Sequence, residues 1–371
     1  MTQRAILWFL REEWFLAVSA ATCIVFFVSG GKIFVGLSSP LYLVLIFVWL
    51  FTVMVGTALS VVRQADHLAI RLGEPYGTLI LTLSMTFIEV ASITAVMMHG
   101  ENNPTLPRDT MFATVMIILN GLIGLSLLIG GWRHREQHYN LRGANAYLGV
   151  IIPLVVMSLI LPNFTQSTPG PTLSFPQQMF LVLVSIGLYC TFLAMQMGQL
   201  RSYFTSVETI IEEGQGGRAA LSGLLPRIVL LAAYLVPVVF LSEQLAHPID
   251  YIIETLNAPL ALGGVIVAVL GATPEALAGV RGALSNDLQR SINILLGSVL
   301  STSGLTIPAM LLVSHFVGRD MVLGLEHTDA VMLLLTLFVS AVTFASGHTN
   351  VLQGAVHLIL FAAYMLLIVQ N

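Results

Sequence analysis

Along most of this chain the apolar residues do not alternate with polar ones; they run on. A helix needs about 20 consecutive apolar residues to cross the hydrocarbon core of a bilayer. About eleven stretches of that kind follow one another, near 14–35, 40–62, 75–99, 110–131, 144–164, 176–197, 221–243, 258–282, 291–316, 328–346 and 350–369. The pattern predicts an all-α polytopic membrane protein with about eleven transmembrane helices. Short polar breaks separate them and hold nearly all of the nineteen Asp and Glu residues. The one longer break is "RSYFTSVETIIEEGQGGRAALSG", within 198–220 and just beyond.

Composition agrees with the pattern. Of 371 residues, 56% are hydrophobic and 9% charged, against about 25% charged in a soluble protein. So little charge cannot cover a water-facing surface, and most of this surface must face lipid. No break is long enough for a soluble domain, so function must lie within the membrane. A net charge of −4 points to no nucleic-acid partner. Cys23 and Cys190 both sit in apolar runs and read as packing residues. The start, "MTQRAILWFLREEW", shows no cleavage site after its apolar run, so no removable signal peptide is expected.

Charge then sets orientation. Arg4, Arg11, Arg63, Arg71, Arg133, Arg135, Arg142, Arg201, Arg218, Arg227, Arg281 and Arg290 fall on one side of the predicted spans, and Lys32, Arg108 and Arg319 on the other. Twelve against three, by the positive-inside rule, puts the N-terminus in the cytoplasm. An odd number of spans then puts the C-terminus on the outer side of the membrane.

Two acids fall deep inside spans. Glu89 lies in "LILTLSMTFIEVASITAVM" and Glu275 in "VAVLGATPEALAGV". Each comes about four turns after a proline, Pro75 or Pro259, and each span is followed by one rich in small and hydroxyl residues: "MIILNGLIGLSLLIGG" and "INILLGSVLSTSGLTIPAM". This is a weak internal repeat. It divides the chain into an extra N-terminal helix (1–39), a first repeat (40–197), a cytoplasmic linker (198–220) and a second repeat (221–371). Five spans per repeat invert the second relative to the first, a transporter signature.

A charged acid at the centre of a membrane helix costs roughly 2.5–3.5 kcal/mol on insertion scales. Helical spacing suggests what offsets it. Thr82, Thr86, Glu89 and Ser92 share one face and line it with oxygen. Ala268, Gly271, Ala272, Glu275, Ala278 and Gly279 form a stripe of small residues. Pro274 has no amide hydrogen and frees the carbonyl of Leu270, which makes it a candidate hinge. Hard cations take oxygen ligands. The supply here is Glu89 and Glu275, supported by Thr82, Thr86, Ser92, Leu270, Thr273, Asn120, Ser298, Ser301 and Thr302. No His or Cys cluster calls for a softer metal, and no resident cofactor is expected. Two carboxyls away from water favour their protonated forms, so a cation binds by displacing protons. One Ca2+ for two protons leaves the site charge unchanged and couples the two fluxes.

Other readings exist. Buried acids and hydroxyls can serve helix packing alone. His357, the one histidine well inside a span, reads as a packing residue. "STSG" at Ser301–Gly304 raises an intramembrane hydrolase centred on Ser303 and His357, but it lacks the glycine two residues before the serine.

At these residues the sequence resembles the cation-exchanger branch of the calcium/cation antiporter superfamily. The likeness covers nearly the whole chain and is densest in "VVRQADHLAIRLGEPYGTLILTLSMTFIEV", "GATPEALAGVRGALSNDLQRSINILLGSVL" and "HTNVLQGAVHLILFAAYM". It implies one extra N-terminal helix, two inverted five-helix repeats, and exchange of Ca2+, or of Na+ or K+, for protons. It also implies that Glu89 and Glu275 bind the exchanged cation, as the acids of a Gly-Asn-x-x-Glu type motif. This chain departs from that motif. Met85 and Thr86 stand where Gly and Asn are usual, and Ala272 and Ala276 replace Asn and His. The acidic segment between repeats is reduced to Glu208, Glu212 and Glu213. These departures bear on ion selectivity rather than on fold.

Overall fold

The computed structural model describes residues 13–72, 76–99, 103–198, 200–204 and 224–370. Arg4, Arg11, Pro75, Arg218 and the acids Glu208, Glu212 and Glu213 lie outside the described residues. In chain order the helices are α1 (Trp14–Ile33), α2 (Pro40–Leu72), α3 (Tyr76–Met98), α4 (Leu106–Met116), α5 (Ile123–His134), α6 (Leu141–Leu159), α7 (Phe175–Met197), α8 (Leu224–Asp250), α9 (Ala261–Leu284), α10 (Leu288–Ser301), α11 (Ile307–Val317), α12 (His327–Thr343) and α13 (Val351–Gln370). A π-helical turn, Ile117–Leu122, joins α4 to α5 within one span. A second, Thr302–Thr306, joins α10 to α11 within another. Among the described residues ten spans are long and apolar enough to cross a membrane, and the shorter α12 is also apolar. Its 17 residues sit at the lower end of the crossing range, about 17–25. The protein is an all-α polytopic membrane protein.

Helix ends follow local chemistry. Asn140 caps α6 by accepting the amides of Arg142 and Gly143, and Asp287 caps α10 through Arg290. The Gln177 side chain accepts the Ser174 amide at 2.9 Å where α7 begins. Gly318 closes α11 in the left-handed conformation, with φ of 71°, which glycine adopts without a Cβ penalty.

The chain forms two compact units, each discontinuous in sequence. The first takes Met1–Asn102 with Arg218–Ala258, the second Asn103–Gly217 with Pro259–Asn371.

In the first unit α2 packs against α3 and α8, and α1 lies on both α2 and α8. One buried acid ties three of these together. Glu13, just before α1 and 3% exposed, accepts from Arg63 at 2.7 Å and Gln64 at 2.8 Å, both on α2. It also accepts from Tyr234 of α8 at 2.8 Å. Arg227 of α8 lies 3.9 Å from the same carboxylate and donates to Gln64 Oε1 at 2.9 Å. A carboxylate away from water needs such partners, and these supply them from three segments. At the other end of the unit, His99 and His247 meet at 2.8 Å, with Phe34 stacked on His247. Burial holds the His99 imidazole below its ordinary value, against the pull of Glu243 and Glu254.

In the second unit the connections sort onto two sides. On one, Val322 donates to Pro104, Leu325 to Leu159 and Gly324 to Pro171. On the other, the two-residue strands β1 (Gln137–His138) and β2 (His348–Thr349) pair antiparallel. Asn140 there donates its amide to Gln289 at 2.6 Å, and Gln137 donates to the Ala283 carbonyl at 2.9 Å. Successive connections therefore alternate sides, as the predicted spans require.

The two π-helical turns share a seat. A Cβ on Gly121 would lie 3.4 Å from the Phe361 ring of α13, and one on Gly304 would lie 3.0 Å from Tyr189 of α7. In each span a glycine in the turn faces an aromatic side chain of another helix, Phe361 of α13 or Tyr189 of α7.

Candidate functional site

The first unit carries Glu89 on α3. At about 100° per residue, Thr82, Thr86 and Glu89 fall within roughly 60° of one another, and Ser92 about 60° further round. Glu89 is half-buried. Thr86 is buried, and its hydroxyl has no hydrogen-bond partner in the protein. This hydroxyl lies about one turn from the Glu89 carboxylate. Ser92 is placed differently. Its hydroxyl donates to the Ile88 carbonyl at 2.8 Å and meets Ser242 of α8 at 3.2 Å. It joins two helices.

The second unit carries Glu275 on α9. Two close approaches seat this helix. A Cβ on Gly264 would come within 2.7 Å of the backbone at Asp109 and Thr110 on α4, and one on Gly279 within 2.9 Å of Leu295 on α10. Gly271, one turn before Glu275, meets nothing within 4 Å, so this member of the small-residue stripe borders open space. The contact with α10 brings Ser298 to Glu275, where its hydroxyl donates to Oε1 at 3.1 Å. Ser301 follows one turn on and donates to the Ser298 carbonyl at 3.0 Å. Thr302 is buried at the start of the π-helical turn.

The remaining oxygens are less free than a list of residue types suggests. Thr273 is two residues from Glu275, about 200° round the helix, and its hydroxyl returns to the Val269 carbonyl at 2.6 Å. Asn120 is fully buried in the first π-helical turn. Its carboxamide donates to Thr336 at 2.8 Å and meets His357 at 3.1 Å. Leu270 is buried, and Pro274, inside α9, cannot donate to its carbonyl. Ser303 donates to the Val299 carbonyl, and His357 is engaged with Asn120 and Thr343. A hydrolase's serine–histidine pair is therefore not formed by these two residues.

Sequence reasoning missed the two π-helical turns of the second unit, and a third, Tyr251–Thr255, that follows α8 in the first. Such turns recur at functional sites. In the second unit their only written trace is a polar residue followed by Gly and Leu, as Asn120-Gly121-Leu122 and Ser303-Gly304-Leu305. It also missed the bonding of His357, since a lone histidine in an apolar run does not announce its partners.

Many apolar spans, two acids held at membrane depth and hydroxyls gathered near each define a membrane transporter for a small charged solute. The chain belongs to the sodium/calcium exchanger protein family, whose model matches residues 42–198 and 227–370. It is therefore a transporter and not an enzyme. It is 41% identical to the protein y4hA of Sinorhizobium fredii over 315 residues, 85% of this chain and 86% of that one. It is 36% identical to the sodium-potassium/proton antiporter ChaA of Escherichia coli over 318 residues, again 85% and 86% of the two chains. Among solved structures it resembles that of the Ca2+/H+ antiporter YfkE, with a TM-score of 0.68 at 19% identity, covering 97% of this chain and all of that one.

Proposed function

We propose that this protein exchanges Ca2+, with Na+ and K+ as further cargo, for protons across a bacterial inner membrane. The observation that carries the reading is Glu275, an acid in the middle of α9 that meets the Ser298 hydroxyl at 3.1 Å beside open space at Gly271. Glu89 stands at the matching place in the other repeat, with the unsatisfied hydroxyl of Thr86 one turn away. In this reading Glu89 and Glu275 alternately hold protons and the cation. Thr82 and Thr86 are the further oxygens offered beside Glu89 on α3, and Ser298, Ser301, Thr302 and the carbonyl of Leu270 those offered in the unit of Glu275. Hard cations accept such a set, and protons compete with them for it.

The two ranges of the family match flank residues 199–226, which supports two repeats joined by a linker. The twelve-to-three distribution of basic residues supports a cytoplasmic N-terminus and a periplasmic C-terminus. A second reading confines the cargo to Na+ and K+. It is favoured by the sodium-potassium/proton exchange named for the Escherichia coli relative.

Purified protein in proteoliposomes, loaded with a pH-sensitive dye and given each cation separately, tests both readings. Proton flux driven by Ca2+ and weakened by acid supports the first. Flux driven by Na+ and K+ alone selects the second. No cation-driven flux from correctly inserted protein would falsify both.

A further inference from the structure

A line of hydrogen bonds crosses the second unit, and the orientation of the Asn120 carboxamide sets the direction of each donor. The Met116 thioether can only accept, so the Thr336 hydroxyl donates to it at 3.4 Å. The Thr336 oxygen in turn accepts from Nδ2 of Asn120 at 2.8 Å. This turns Oδ1 of Asn120 toward Nδ1 of His357, 3.1 Å away. A carbonyl oxygen has no proton to give, so Nδ1 carries the hydrogen. In the neutral ring Nε2 is then the acceptor, and it takes the Thr343 hydroxyl at 3.0 Å. Asn120, Thr336 and His357 are fully buried and Thr343 is 3% exposed. Bonds that run in one sense polarise one another.

This line passes through the first π-helical turn. Asn120 belongs to Ile117–Leu122, and α13 lies directly on the segment. A Cβ on Gly124 would be 3.0 Å from His357 Cβ and from the Leu358 amide. The second turn has no such support from the matching place. Ser185 precedes Tyr189 by four residues, as His357 precedes Phe361, and the Ser185 hydroxyl is buried without a partner.

We propose that His357 is a positioning residue: by holding the Asn120 carboxamide it fixes the π-helical turn of the 106–134 span for transport, and Asn120 acts as the brace of that turn instead of a cation ligand. This rests on the exchange reading above. His357 touches no cation. Its loss therefore slows turnover and leaves cation affinity in place. The broken bond strands Asn120 Oδ1 in an apolar interior, the costly case, whereas removing both partners is far milder.

The test measures cation-driven proton flux in proteoliposomes against Ca2+, Na+ and K+ concentration. His357→Leu should lower kcat by about tenfold or more while KM stays within about twofold. The double variant His357→Leu with Asn120→Leu should recover part of that loss, because coupled partners are not additive. A rise in KM with kcat preserved in either single variant, or a double variant no better than the worse single, overturns the proposal. A second measurement does not depend on transport or on variants folding well. In protein carrying 15N-labelled histidine, the His357 ring, identified by the signal lost in His357→Gln, should be neutral with its hydrogen on Nδ1. A hydrogen on Nε2 instead overturns the proposal. Glu275→Gln, run in parallel, separates the two ideas. Lost flux there with wild-type kinetics in His357→Leu leaves exchange standing and removes the brace. Absence of flux in the unaltered protein removes exchange, and the tautomer still decides the brace.

Discussion

The two π-helical turns of the second unit use one backbone device with two kinds of side chain. In each, a glycine followed by a leucine seats an aromatic ring, Gly121 under Phe361 and Gly304 under Tyr189. Around the first, Asn120 reaches out to Thr336 and His357. Around the second, Ser303 turns back to its own helix at Val299. The shared backbone fits duplicated ancestry. The unshared polar groups show that a shared backbone device does not dictate shared chemistry. At Gly304 sterics act at one point, against Tyr189, whereas a hydrogen-bond partner must be supplied by a second segment that is free to change.

The largest test of this asymmetry is at the acids themselves. Glu89→Gln and Glu275→Gln keep side-chain size and remove the titratable charge. Both should abolish cation-driven proton flux in protein that inserts normally. Near-normal flux in either would mean that the halves differ in their central chemistry as well as in their bracing. Pro274→Ala should come next. It restores a donor to the Leu270 carbonyl, so cation KM should rise while thermal stability in detergent holds or improves. An unchanged KM would leave the proline as packing.

The glycine seats should respond unequally. Gly304→Ala forces a Cβ to about the limit against Tyr189 and should lower stability by about 1–3 kcal/mol. Gly121→Ala meets Phe361 at ordinary contact distance, 3.4 Å, and should gain up to about 1 kcal/mol from helix propensity. Equal thermal shifts in the two would show that the seats are not distinguished by space. The smallest effect is expected at Ser185. Its hydroxyl is buried without a partner, so Ser185→Ala should be neutral or stabilising by about 1 kcal/mol. A clear loss of stability would reveal a bond partner, such as an ordered water.

The spans were legible because the bilayer imposes their length on the sequence directly. Two of them nonetheless run past their predicted ends. The span predicted over 40–62 continues to Leu72, and that over 221–243 continues to Asp250 and on through Thr255. Hydropathy stops at the first charges, but a helix does not. Arg63 and Gln64 extend α2 because Glu13 receives them. The π-helical turns were not legible, since one extra residue in a turn changes neither length nor hydropathy. At the site, residue type singled out both Glu275 and Ser298, whose side chains meet at 3.1 Å. It could not separate Thr86, whose hydroxyl is unsatisfied, from Thr273, whose hydroxyl is spent on its own helix. Oxygen content is written in the sequence, but the bonds already made by each oxygen belong to the fold.

The Glu13 cluster has a consequence for biosynthesis. Its first helix emerges early, but Tyr234, one of the groups that satisfies the acid, lies 221 residues further along. At roughly 5–20 residues per second, the ribosome needs roughly 10–40 s to deliver it. Through that interval α1 is threaded into lipid with its anchor incomplete, and only the arrival of α8 locks it. A chain that stalls before that point presents an unclasped acid at the membrane surface, a mark by which quality control could tell an unfinished copy from a finished one.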